Sequence, residues 1–152
     1  MRIALYEPEI AGNVGAVLRL GACLGVPVDL IEPMGFAWDD RRVRRTAMDY
    51  IDHVAVTRHQ GFAAFRETIG EGRLILLTTK ADLSLYEAAF EPRDILLFGR
   101  ESAGVPPAVA AACGLKLKIP TVPGVRSLNV AMAAGIAASE ALRQLRGPPI
   151  PA

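Results

Sequence analysis

Six short apolar runs recur along the chain: RIALY (2–6), VDLI (28–31), HVAVT (53–57), RLILLT (73–78), DILLFG (94–99) and LKLKI (115–119). Stretches with helical periodicity lie between and after them, at 14–24, 40–48, 61–68, 83–89, 106–112 and 128–145. Several runs are apolar at successive positions, as a strand covered on both faces requires. Strand and helix alternating in this way predict an α/β fold, a mostly parallel six-stranded sheet with helices on both faces. At 152 residues the chain suits one domain spanning 1–152, and no repeat or linker divides it. Right-handed, unknotted connections are the default for such a sheet. The GPPIPA tail after Arg146 cannot continue a helix.

Hydrophobic residues make up 51% of the chain and charged residues 22%, so a second chain is expected to cover some apolar surface. A formal net charge of +1 gives no global field, and any basic patch must be local. Cys23 and Cys113 are far apart and lack CxxC or His spacing, which argues against both a metal site and a disulfide scaffold. Both read as reduced core thiols. His53 and His59 have no partner spacing and read as ordinary polar residues. Glu7 interrupts the N-terminal apolar stretch and no segment nears the length of a membrane span, so a cytoplasmic protein without membrane contact is expected.

Three segments carry chemical information. In EPEIAGNVGAVLRLGACLG (7–25), a strand opens into a turn where Gly12, Asn13 and Gly15 precede a helix. Free N–H groups and the helix dipole make such a start a generic anion site, although Asn caps and glycines are also common for structural reasons. Arg19 shares a helix face with Gly15, opposite an apolar stripe of Val14, Val17, Leu18 and Ala22, and by itself reads as a solvated arginine. In FGRESAGVP (98–106), Gly99 and Glu101 fall at the C-terminal end of a buried strand, the edge where open parallel sheets bind ligands. Gly104 and Pro106 shape the next turn. In IPTVPGVRSLNVAMAAGIAASE (119–140), Pro120, Pro123 and Gly124 stiffen a loop before a helix of small residues. Ser127 or Asn129 can cap that helix, which is apolar all round until Glu140 and so is expected to be buried on all sides. Ala131, Ala134, Gly135 and Ala138 share one face and permit close helix approach.

A fourth segment, GFAWDDRRVRRTAMDYID (35–52), sets Arg41, Arg42, Arg44 and Arg45 beside Trp38 and Tyr50, rings able to stack on bases. Asp39, Asp40, Asp49 and Asp52 can equally neutralise the cluster as a solvated face.

Together, in this order and spacing, the segments resemble the SPOUT superfamily of S-adenosylmethionine-dependent RNA methyltransferases over nearly the whole chain. The similarity is greatest to the branch that methylates the ribose 2′-hydroxyl of tRNA cytidine or uridine 34. The resemblance implies a C-terminal trefoil knot and S-adenosylmethionine as cofactor. Backbone groups at Leu77, Gly99 and Ile119 would recognise it, with Glu101 framing the pocket and Ser127 and Leu128 lining it. It implies a catalytic role for Arg19 supported by Asn13, and RNA contacts from Asn129 and from Arg41, Arg42, Arg44 and Arg45. It also implies tRNA as partner and a homodimer through the C-terminal helix region; the cysteine spacing gives no metal site. Arg100 is uninformative on this comparison, and Ser139 stands where many relatives have a tyrosine. A SPOUT-like dimer that binds RNA without transferring a methyl group is the alternative. An unrelated NAD or mononucleotide domain is disfavoured, because the first turn lacks G-x-G-x-x-G.

Overall fold

The computed structural model describes residues 1–38 and 53–146. The predicted helix at 40–48, the four arginines and the tail after Arg146 lie outside the described residues. Six strands, β1 (Arg2–Tyr6), β2 (Val28–Ile31), β3 (Val56–His59), β4 (Leu74–Leu77), β5 (Ile95–Phe98) and β6 (Leu115–Leu117), form one sheet in the order β3-β2-β1-β5-β4-β6. Every pairing is parallel, with Leu5 opposite Phe98, Tyr6 opposite Ile31, and Leu77 opposite both Phe98 and Leu117. All six carboxyl ends therefore meet at one edge.

The continuous apolar runs divide by alternate residues between two cores. Ile3, Leu5, Val28, Leu30, Ile75, Leu96 and Phe98 face one, with helix α1 (Ala11–Leu24) and helix α4 (Val130–Arg146) above them. Ala4, Tyr6, Ile31, Leu74, Leu76, Ile95 and Leu97 face the other, under α2 (Phe62–Ile69) and α3 (Pro107–Ala111). This period-two split explains why these strands show no polar alternation in sequence.

Four expectations change. α1 opens at Ala11, so Gly12 and Asn13 lie in its first turn and Gly15 is buried within it. β3 begins at Val56 because its register against β2 pairs Val28 with Val56 and Ile31 with His59. The helix expected at 83–89 is only a 3₁₀ turn, Leu85–Glu87. Leu83 O and Leu85 N are already bonded to Lys118 at 2.9 and 2.8 Å, so the backbone there serves the end of β6 instead of a helix. Cys23 is exposed, whereas burial pushes the Cys113 thiol up to about 11.

Candidate functional site at the carboxyl edge of the sheet

α1 and α4 cover one face of the sheet while α2 and α3 cover the other, so the chain switches sides between β1 and β5. A parallel sheet opens a crevice beyond its strand ends at such a switch. The segments that leave β1 and β5 meet there. Glu7, directly after β1, adopts φ 45°, the only positive φ of a non-glycine residue among those described. Strained backbone of this kind persists only where its surroundings over-determine it. The Glu7 carboxylate pairs with the Arg100 guanidinium across the crevice, so Arg100 has a structural partner that the sequence did not indicate.

In the same place, Asn13 Nδ2 donates to Glu101 Oε1 at 3.0 Å, and Glu9 N donates to Glu101 Oε2 at 2.9 Å. Asn129 Nδ2 donates to Asn13 Oδ1 at 2.9 Å, while Asn129 Oδ1 accepts from Ala131 N at 2.8 Å and caps α4. Asn13 thus uses both ends of its carboxamide, and one hydrogen-bond chain joins all three motif segments. Ser102 donates to Glu9 through its hydroxyl and its backbone N–H, which holds the Glu9 carboxyl below its ordinary value.

Leu77, Gly99 and Ile119 come together at the ends of β4, β5 and β6. Residues 120–129 are exposed throughout, and Ser127 and Leu128 stand on that loop. Its side chains include Val122, Val125 and Leu128, large apolar groups open to solvent beside three strand ends. Arg19 is exposed on α1, about 9 Å along the axis from Asn13 at 1.5 Å per residue. A Cβ on Gly99 would fall 2.5–2.9 Å from Gly104 backbone atoms, so this glycine is required by the chain's own turn.

The sequence reading missed Glu9, Ser102 and the Glu7–Arg100 pair. Two carboxylates two residues apart, directly after a buried strand, were the available signal. It also missed the buried Asp29, which accepts from Arg2 at 2.6 and 2.7 Å and lies 2.8 Å from His59 Nε2; His59 is buried and paired. Ser139 lines an open groove of about 370 Å³ together with Tyr86. Among the described residues, no group of three or more His, Cys, Asp or Glu side chains is placed to hold a metal ion. Among the described residues, no helix is long and apolar enough to cross a membrane.

Residues 1–139 match the SpoU rRNA Methylase family. The chain is 54% identical over 145 residues to a tRNA (cytidine(34)-2′-O)-methyltransferase of Beijerinckia indica, covering 94% of this chain and 91% of that protein. It is similar, with TM-score 0.92 and 46% identity over 97% of each chain, to a structure solved for insight into the 2-OH methylation of C/U34 on tRNA. It shares its fold with the SpoU methyltransferase AviRb of Streptomyces viridochromogenes in complex with the cofactor AdoMet, with TM-score 0.87 and 22% identity over 98% of this chain and 59% of that one.

Proposed function

This chain belongs to the SpoU rRNA Methylase family, and from that premise we propose that it methylates the ribose 2′-hydroxyl of cytidine or uridine 34 in tRNA. The observation that carries the reading is the meeting of the three motif segments at one sheet edge, within a similarity that runs the length of the chain.

S-adenosylmethionine would supply an electrophilic methyl group. Backbone groups at Leu77, Gly99 and Ile119 would hold its adenosine, with Glu101 framing the pocket and Ser127 and Leu128 as walls. Supporting this are the common edge of β4, β5 and β6 and the exposed apolar loop beside it. The knotted threading belongs to the same proposal. It is supported by the 78–94 connection, which bonds to Lys118 on one side and on the other to Gln144 of α4, through Phe90 N and Ala88 O at 3.0 Å.

A 2′-hydroxyl is a poor nucleophile that must lose its proton as it attacks. Arg19 is not the acceptor of that proton, because a guanidinium offers only N–H donors and no lone pair to accept with. Its part is to bind the neighbouring phosphate or the developing alkoxide, while Asn13 and Asn129 shape the pocket. Arg41, Arg42, Arg44 and Arg45 contact RNA phosphates, and the protein acts as a cytoplasmic homodimer.

Turnover of labelled S-adenosylmethionine on total tRNA by the parent and Arg19→Ala tests the reading. Arg19→Ala should cut methylation by a factor on the order of 10² or more and leave S-adenosylhomocysteine affinity within a few fold, as for an interaction made mainly in the transition state. A parent that binds tRNA and cofactor but never transfers label would instead be an RNA-binding dimer.

A further inference from the structure

Glu9 bridges the crevice in both directions. Its Oε1 accepts from the Ser102 hydroxyl at 2.7 Å and its Oε2 from the Ser102 N–H at 2.8 Å, while its own N–H donates to Glu101 Oε2 at 2.9 Å. Each carboxylate therefore grips the other's segment, through hydrogen bonds to ionised acceptors, the strong kind. Behind Glu9 there is no slack. Gly35 N donates to Pro8 O at 2.9 Å, and a Cβ on Gly35 would fall 2.8 Å from Glu9 Cα. Glu9 is wedged between the Gly35 loop and the 99–104 turn.

Ahead of it, the remaining oxygen of Glu101 fixes Asn13, and Asn13 fixes Asn129 at the start of α4. We infer that Glu9 is a positioning residue for methyl transfer. By clasping Ser102 it sets the height of the Glu101 carboxylate, and so the orientation of the Asn13 and Asn129 carboxamides towards the ribose. This rests on the proposed reading of the site as a ribose methylation centre. The clasp needs two polar atoms facing Ser102 and does not need a charge. A glutamine can accept from the Ser102 N–H with its oxygen and donate to the Ser102 hydroxyl with its amide.

The test compares parent, Glu9→Gln, Glu9→Ala and Ser102→Ala. It measures kcat and KM on tRNA with labelled S-adenosylmethionine, and the Asn13 side-chain amide signals by NMR. Misplacement of a reacting group by about 1 Å costs up to ~10²-fold, so Glu9→Ala should lose about 10- to 100-fold in kcat with KM for S-adenosylmethionine nearly unchanged. Its Asn13 amide protons should move towards the positions of a free amide. Glu9→Gln should recover most of the rate and the parental Asn13 signals, and Ser102→Ala, which keeps the backbone bond, should fall between.

Parental kcat in Glu9→Ala, equal losses in the Gln and Ala variants, or unmoved Asn13 signals in Glu9→Ala would overturn the inference. If Glu9→Ala does not fold, Ser102→Ala against Glu9→Gln decides by the same rate and NMR criteria. A parent that methylates no tRNA would sink the functional reading instead, and the Asn13 signals would still decide the clasp.

Discussion

Gly99 stands where β5 gives way to its turn, and the atoms that forbid a side chain there are the backbone of Gly104, which exchanges two hydrogen bonds with Arg100 at 2.9 and 3.0 Å. Backbone cannot swing aside as a flexible side chain can. Gly99→Ala should therefore cost stability as other forced insertions do, about 1–3 kcal/mol. For a domain of this size that is roughly 2–4 °C of melting temperature per kcal/mol. Calorimetry should show this fall together with weaker S-adenosylhomocysteine binding, and an unchanged melting temperature would mean that the turn relaxes freely. At this scale the sequence exposed Gly99 and Glu101 through their place just after a buried strand, and Asn13 and Asn129 through the order and spacing of the motifs that hold them. It hid Glu9 and Ser102, because their roles come from a contact between residues 93 positions apart in the chain.

At the scale of elements, strands buried on both faces were legible because a parallel sheet demands unbroken apolar runs. What failed were stretches whose backbone is claimed from elsewhere, as residues 83–87 are by Lys118. α4 was read as buried on all sides. Instead Ala134, Ala137, Ala138 and Ala141 face the chain's own core and pack close to α1, while Met132 is 61% exposed. The small residues thus explain an approach within one chain. The segment that follows Trp38 carries the arginine cluster, and Trp38 itself stacks with Arg58 at 5.0 Å. If those arginines bind tRNA, replacing two of Arg41, Arg42, Arg44 and Arg45 by Gln should weaken binding to all tRNAs. The log-affinity against log-salt slope should fall by about 0.7–0.9 for each lost phosphate contact. A parental slope would mark the cluster as a face neutralised by its aspartates.

Among the described residues, the large apolar side chains left open lie mostly on one stretch: Val122, Val125, Leu128 and Met132, with Ile10 at the start of α1. Some of this surface would line the cofactor pocket, and the remainder fits the proposed homodimer. Met132→Lys should lower the sedimenting mass of a micromolar sample from dimer towards monomer without unfolding it, and a parent that sediments as a monomer would refute the dimer. The composition had indicated a covered apolar surface, and the chain's order of motifs had indicated the reaction. Neither could say that the site is a mutual clasp of two loops, since that depends on how β1 and β5 lie side by side. Ribose methylation at the wobble nucleotide is decided by incubating purified protein with S-adenosylmethionine and tRNA unmodified at position 34, then mapping the product by nuclease digestion and mass spectrometry. One methyl group should be added, on the ribose of cytidine or uridine 34. Methylation of a base, or of a ribose elsewhere in the tRNA, would contradict the proposed function.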